Sequence, residues 1–159
     1  MSVGRIHQIS VSPGGVPKNA VPEARVLRDG LVGDAHHDHR HGGPDRAMCL
    51  FSLEVIRRLQ REGHPIAPGT VGENLTVEGL DWNQIRPGSR MVVGDGDGVE
   101  LEVVAYTKPC STIRESFTAL EFRRIQQDLH PGESRVYARV LREGTVRMGD
   151  PCRVIGPSA

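Results

Sequence analysis

The chain has 159 residues, 37% of them apolar, which is enough for one compact domain with its own core and requires no second domain. Lysine plus arginine balances aspartate plus glutamate at 20 each, so no overall field draws the protein to nucleic acid or to an anionic membrane surface. No apolar run is long enough to span a bilayer, and the opening residues MSVGRIHQISVSPGG lack the apolar centre of a signal peptide; the expectation is a cytoplasmic protein without membrane contact. The three cysteines, Cys49, Cys110 and Cys152, are widely spaced, which fits neither a disulfide framework nor a CxxC zinc knuckle, so they read as free thiols. With 19 glycines, 11 prolines and 4% aromatic residues, the composition favours short strands and many turns.

Residues 5–12 read as a first strand closed by Pro13, Gly14 and Gly15, and residues 24–27 as a second. A stretch dense in ligand-type side chains follows, GDAHHDHRHGGPDR at 33–46, which holds four of the seven histidines. The apolar run at 47–51 has strand length, and Ser52 stands where a helix N-cap stands. Leu53, Ile56 and Leu59 then recur at helical spacing in 53–62, with Arg57, Arg58 and Arg61 on a solvated face and Gly63 as the stop. A glycine-punctuated loop leads from Pro68 into a strand carrying Leu75 and Val77, with Glu73 and Asn74 at its entrance. Residues 80–85 suit a short helical turn and 90–93 a strand, which the tract at 94–98 joins to the strand at 99–106. In that last strand Val99, Leu101, Val103 and Ala105 alternate with Glu100 and Glu102, and it runs directly into TKPCSTI. Thr118 suits the cap of a second helix over 119–129, where Leu120, Phe122, Ile125 and Leu129 supply the apolar contacts before Pro131 and Gly132. A final hairpin is expected, with arms at 136–141 and 146–155 around Arg142, Glu143 and Gly144. The whole reads as mainly β, a β-rich α+β chain forming a closed or nearly closed β-barrel with helices in its connections.

Cys110 is the best nucleophile or soft-metal ligand in this chain. It follows the end of a strand, beside Pro109, with Lys108 and Arg114 close in sequence to favour a thiolate. Ser111 and Thr112 follow it, able to donate hydrogen bonds or to cap the next turn. The alternative is a small apolar side chain in a turn, a reading that is stronger still for Cys49 and Cys152 in their apolar runs. His37, His39 and His41 would share one face of an extended segment and could hold zinc, although a dedicated zinc site is the less favoured reading. Solvated histidines, or a pocket wall that binds an anion through His, Arg40 and Arg46, are the alternatives. Glu73 and Asn74 are either a polar pair at a pocket rim or a turn whose asparagine satisfies backbone groups. Asp95 and Asp97 lack the ligand order of a calcium loop and suit a hairpin turn. No P-loop, dinucleotide fingerprint or HExxH occurs.

Four segments, GLVGDAHHDHRHGGPDRAMCLFSLEVI, PGTVGENLTVEGLDW, TKPCSTI and VLREGTVRMGDPCRVI, together resemble the MOSC domain, and the resemblance runs from about residue 16 to 155 of a single domain spanning 1–159. That domain occurs at the C-terminus of molybdenum-cofactor sulfurases, in amidoxime-reducing components and as small stand-alone bacterial proteins. The resemblance implies a barrel-like β fold and a cysteine, here Cys110, that binds molybdenum or carries sulfur. It further implies a molybdenum-pterin cofactor lying among loops that bear His41, Asp45, Ser52, Asn74, Thr107 and Lys108, of which Asn74, Thr107 and Lys108 match most closely. At family level it also carries an association with pyridoxal phosphate. Larger relatives add an N-terminal β domain and reductase or iron-sulfur modules, so this sequence is expected to work with a small-molecule substrate and a separate reductase or sulfur donor. Three readings stay open: a molybdenum-dependent reductase of N-hydroxylated compounds, a sulfur carrier using a Cys110 persulfide, and a non-catalytic ligand-binding domain.

Overall fold

The computed structural model describes residues 3–35, 43–96 and 98–157. Among them are eleven strands: β1 (Val3–Val11), β2 (Asn19–Val21), β3 (Glu23–Leu27), β4 (Gly30–Leu31), β5 (Met48–Ser52), β6 (Leu75–Glu78), β7 (Ser89–Val93), β8 (Val99–Tyr106), β9 (Val136–Arg142), β10 (Gly144–Arg147) and β11 (Pro151–Pro157). Seven of them close a barrel in the order β11-β7-β8-β9-β5-β6-β1, with β1 pairing back onto β11 and β2 attached outside β1. Closure leaves no long unpaired edge. A small second sheet, β10-β3-β4, lies apart from it.

Burial explains each wall. In β8, Val99, Leu101 and Val103 are buried while Glu100 and Glu102 lie half-buried on the outer face, the alternation read from the sequence. It breaks at a bulge against β9 between Val103 and Ala105, which redirects the strand just before TKPCSTI. β5 is buried at all five positions, and its pairing with β6 is the one parallel pairing among the described strands. Parallel neighbours need a crossover, and the α-helix α1 (Leu53–Arg61) supplies it. Ser52 caps that helix as expected, its Oγ accepting the Val55 N–H at 3.2 Å, and Leu53, Val55, Ile56 and Leu59 form its buried face. The core on the two sides of the barrel wall includes Phe51, Ile6, Ile9, Met48, Leu50, Leu75, Met91 and Leu101, all fully buried, each contributing about 1.5–3 kcal/mol by leaving water. Among the described residues no helix is long and apolar enough to cross a membrane.

Two expectations are corrected. The second helix over 119–129 is absent: residues 111–125 form three short 3-10 turns, Ser111–Ser116, Thr118–Leu120 and Phe122–Ile125. Thr118 caps no helix; its N–H donates to His64 Nδ1 and its hydroxyl to the Gly63 carbonyl, while Ala119 and Leu120 sit at φ 56° and 59°. These ties to the end of α1, with Arg124 bonded to both Glu62 and Glu133, hold the segment in a path a continuous helix cannot follow. The final hairpin is also absent. β9 pairs with β5 and β8, β10 with β3, and β11 with β7 and β1. Glu143 is the single residue between β9 and β10, and its carboxylate accepts the Arg28 N–H at 2.8 Å and so carries β10 to the small sheet.

Candidate functional site

The bulge in β8 delivers Thr107, Lys108, Pro109 and Cys110 to one end of the barrel. Thr107 is still tied to the wall, its N–H donating to the Arg135 carbonyl at 2.9 Å, and it is buried; Lys108 is exposed and Cys110 half-buried. Cys110 immediately precedes the first 3-10 turn, and its Sγ lies 2.8 Å from the Thr112 hydroxyl. The other two cysteines are buried. Burial pushes the Cys152 thiol up to about 12 and raises that of Cys49, the latter against the opposing charge of Arg135, so among the three only Cys110 offers an accessible sulfur.

Behind Cys110 lies a buried polar cluster. Asn74, at the start of β6, accepts the Cys49 N–H on Oδ1 at 2.9 Å, and its Nδ2 donates to Asp34 at 2.9 Å and to the Ser10 carbonyl at 3.3 Å. Its backbone N–H meets the Cys49 carbonyl at 2.7 Å, and the Cys49 sulfur stands 3.8 Å from the Thr107 hydroxyl. Asp34 also accepts the Ser12 N–H at 3.0 Å and pairs with Lys18 at 2.7 Å, with 2% and 7% of the two side chains exposed. Gly69 lets the Lys18 backbone approach: with φ +87°, a Cβ there would sit 2.6 Å from the Lys18 carbonyl oxygen, and the Lys18 N–H donates to the Gly69 carbonyl at 2.9 Å. Glu73 is fully buried, and burial raises its carboxyl above the ordinary range although the Gly69 and Glu73 amides, the Thr76 hydroxyl and Arg135 oppose the shift. Arg135 is buried too and donates to the Val71 carbonyl at 2.7 Å, tying the loop before β6 to the strand beside Thr107.

Tyr137 joins the two groups. Burial pushes its phenol up to about 12, with Cys49 and Cys110 adding to the shift and Arg135 and Arg46 opposing it, so all four lie within electrostatic reach of the ring. The Arg46 guanidinium stands 5.3 Å from the centre of that ring.

The candidate residues therefore fall in different places. Thr107, Lys108 and Cys110 lie together at the strand end, and Asn74 lies behind them, buried rather than at a rim, with its amide engaged by the protein. Ser52 is buried and occupied as a helix cap. Asp45 is exposed and pairs with Arg139 at 3.5 Å, next to Arg46. His41, with the rest of the stretch at 36–42, lies outside the described residues, as does Asp97. Among the described residues no group of three histidine, cysteine or acidic side chains could hold a metal ion. Sequence reasoning marked Asp34 only as one member of the ligand-dense stretch at 33–46 and missed its partner Lys18, as well as Arg135 and Tyr137, which no motif singles out.

The fold and this site define a small closed β-barrel that presents one accessible cysteine at a strand end above a buried polar cluster. The chain belongs to the MOSC domain family, whose model matches residues 37–153, and that family is associated with molybdenum-cofactor binding. It is 31% identical over 139 residues to the Bacillus subtilis protein YflK, covering 85% of this chain and 60% of that one. It is 27% identical over 129 residues to a Gibberella moniliformis protein named Reductase, covering 76% of this chain and 22% of that one. The chain thus spans less than two thirds of the length of either relative. The solved structure of YiiM from Geobacillus stearothermophilus shares the fold, with a TM-score of 0.72 and 24% identity over 96% of this chain and 75% of that one.

Proposed function

We propose that this protein binds a molybdenum-pterin cofactor at the barrel end where β8 stops, with the Cys110 thiolate as the protein's ligand to the metal. In this reading the domain serves the reduction of N-hydroxylated compounds, with electrons from a separate donor. The observation that carries it is the contrast among the cysteines: Cys49 and Cys152 are buried with raised thiols, while Cys110 stands half-open two residues after Lys108. The donor set fits the group, because a thiolate is the soft ligand that molybdenum favours and the nearby cations Lys108 and Arg46 suit an anionic pterin phosphate. When bound, the cofactor supplies the two-electron redox chemistry that side chains lack.

The chain's own residues have simpler tasks. Lys108 and Arg46 hold the anionic end, and Thr107 and Asn74 keep the strand end and the Cys49 backbone in register behind it. Tyr137 sets its buried ring against the Arg46 guanidinium, 5.3 Å from the ring centre, and so helps hold that cation in place.

Metal analysis of protein made in a cofactor-competent host tests this reading. Molybdenum near one per chain is expected in the parent and should be lost in Cys110→Ser; equal molybdenum in both overturns it. A parent free of molybdenum that gains one sulfur on Cys110 after exposure to a persulfide donor would replace it with the sulfur-carrier reading.

A further inference from the structure

We propose that His64 is a proton-operated latch on residues 117–125, next to the turn that begins at Cys110: as the neutral imidazole it accepts the Thr118 N–H and holds the segment down, and on protonation it lets go. Given Cys110 as the working sulfur, the reading on which this rests, the latch regulates the barrel end that carries it.

The latch is set by which atom can donate. The Thr118 backbone N–H lies 3.1 Å from His64 Nδ1, and an amide N–H can only donate, so Nδ1 bears a lone pair and the ring proton sits on Nε2, 3.6 Å from the Glu62 carboxylate. The imidazolium carries an N–H on both nitrogens and leaves no acceptor for Thr118. The ring itself is fixed from the side of α1: the His64 N–H donates to the Leu59 carbonyl at 3.1 Å, the side chain is 11% exposed, and Phe117 meets the ring edge-on with centres 5.5 Å apart. The charged groups around it are Glu62, Arg124 bonded to both Glu62 and Glu133, Arg58 paired with Glu133 at 3.0 Å, and His130 within electrostatic reach of Glu62. The Arg124 hydrogen bonds hold the Glu62 carboxyl below the ordinary range, so Glu62 is still an anion where histidines take up their proton, between about pH 8 and 5. Protonated His64 therefore keeps its partner on the α1 side and turns an N–H against the Thr118 N–H on the other.

Across the latch lies a strained turn. Ala119 and Leu120 occupy φ 56° and 59°, which residues with a Cβ adopt at a cost, and no residue of the turn Thr118–Leu120 is buried, so its ties hold it rather than the core. Two of those ties meet at Thr118, whose hydroxyl also donates to the Gly63 carbonyl at 2.9 Å; the next are the Ser116 hydroxyl on Thr70 at 2.9 Å and Arg124 on Glu62. Upstream, buried Phe117 and Ile113 lead back to Cys110, whose carbonyl accepts the Ile113 N–H at 3.2 Å, so losing the His64 tie loosens the turn that starts at the sulfur.

Hydrogen exchange of the metal-free full-length protein at pH 8.0 and 5.5 tests this, each amide referred to its own unstructured rate at that pH and the amides of β8 reporting global stability. In the parent, protection of the Thr118 N–H should fall about tenfold at pH 5.5 relative to β8, and that of the Ile113 N–H about threefold, as one hydrogen bond is lost and a donor is left unmatched. His64→Asn places an oxygen where Nδ1 stood and takes up no proton; its protection should agree within about twofold between the two pH values, although Glu73 and the other histidines still titrate. His64→Phe keeps a ring without an acceptor and should be open at both. Equal protection in the parent at the two pH values overturns the proposal, and so does an asparagine variant that falls with the parent or is as open at pH 8.0 as the phenylalanine variant. A fall at Thr118 that leaves Ile113 unchanged overturns the link to Cys110. None of these outcomes depends on molybdenum, so failure of the latch and failure of the cofactor reading are told apart.

Discussion

Replacing Lys18 by methionine tests the buried cluster behind Cys110 in the most direct way. The substitution keeps the length of the side chain and strands Asp34, which is 2% exposed, without its cation. Removing one partner of a buried pair costs about 3–5 kcal/mol, and Asp34 retains the Ser12 and Asn74 N–H groups, so the lower end applies: about 3 kcal/mol, or a fall in Tm of roughly 6–12 °C for a chain of this size. Asp34→Asn alone also destabilises, because it leaves Lys18 facing a neutral amide and offers Asn74 Nδ2 one carboxylate oxygen fewer. Added to Lys18→Met, however, it removes the stranded charge and should recover about 1–2 kcal/mol. Urea denaturation of the parent, both single variants and the double variant gives the full cycle, with an unchanged m value as the check that the same unfolding is compared. The cost should also be nearly the same in 0.5 M salt, since buried pairs are poorly screened. If Asp34→Asn is as damaging in the methionine background as in the parent, the two charges are not coupled and the cluster is not organised around them.

Two further predictions concern other parts of the cluster and its surroundings. Burial raises the Glu73 carboxyl, so its contribution to stability is complete below the unfolded value near 4.5 and is lost as pH rises through the raised folded value. Glu73→Gln abolishes that loss, and its stability relative to the parent should climb as pH rises above 4.5 in urea titrations; a flat difference refutes the assignment. Ala119 occupies φ 56°, where glycine is free of the left-handed penalty, so Ala119→Gly should stabilise by about 0.5 kcal/mol after its entropic cost while Ala119→Val destabilises by about 1 kcal/mol or more, and thermal melts in the opposite order would remove the strain argument.

Much of the barrel wall was legible because its evidence is local. The alternation of Val99, Leu101 and Val103 with Glu100 and Glu102 survives in the structure because one face of β8 meets the core and the other does not. Ser52 and the spacing of Leu53, Ile56 and Leu59 gave α1 to within a residue, since a cap and an apolar stripe act within one or two turns. The same spacing rule failed over 119–129: Ile125 is buried, but Leu120 and Leu129 remain 51% and 57% exposed, and the core beneath is filled by Ile113 and Phe117 instead. Apolar periodicity reports what a helix would bury, not whether neighbouring elements permit the helix. At the chain's end the strands were recognised but their partners were not, because alternating residues suit any partner and the choice was made by barrel closure and by Glu143 reaching Arg28.

The candidate site divides along the same line, and the division bears on how its parts can be altered. Cys110 and Thr112 meet across two residues in a segment whose contact depends on the local turn, so the chemistry of that pair was foreshadowed by TKPCSTI alone. Asn74 and Cys49 meet because β5 and β6 are neighbours in the closed barrel, and Lys18, just before β2, and Asp34, just after β4, reach them from segments far away in the chain, an arrangement that no spacing in the sequence encodes. Variants of the first pair should therefore leave stability within about 0.5 kcal/mol, as exposed substitutions do, whereas variants of the second should act on stability first. Asn74 is the sharpest case. Read from sequence as either a rim residue or a backbone-satisfying turn residue, it is buried and bonded to three separate segments, so its influence on Cys110 passes through the position of Cys49 and Thr107 rather than through direct contact.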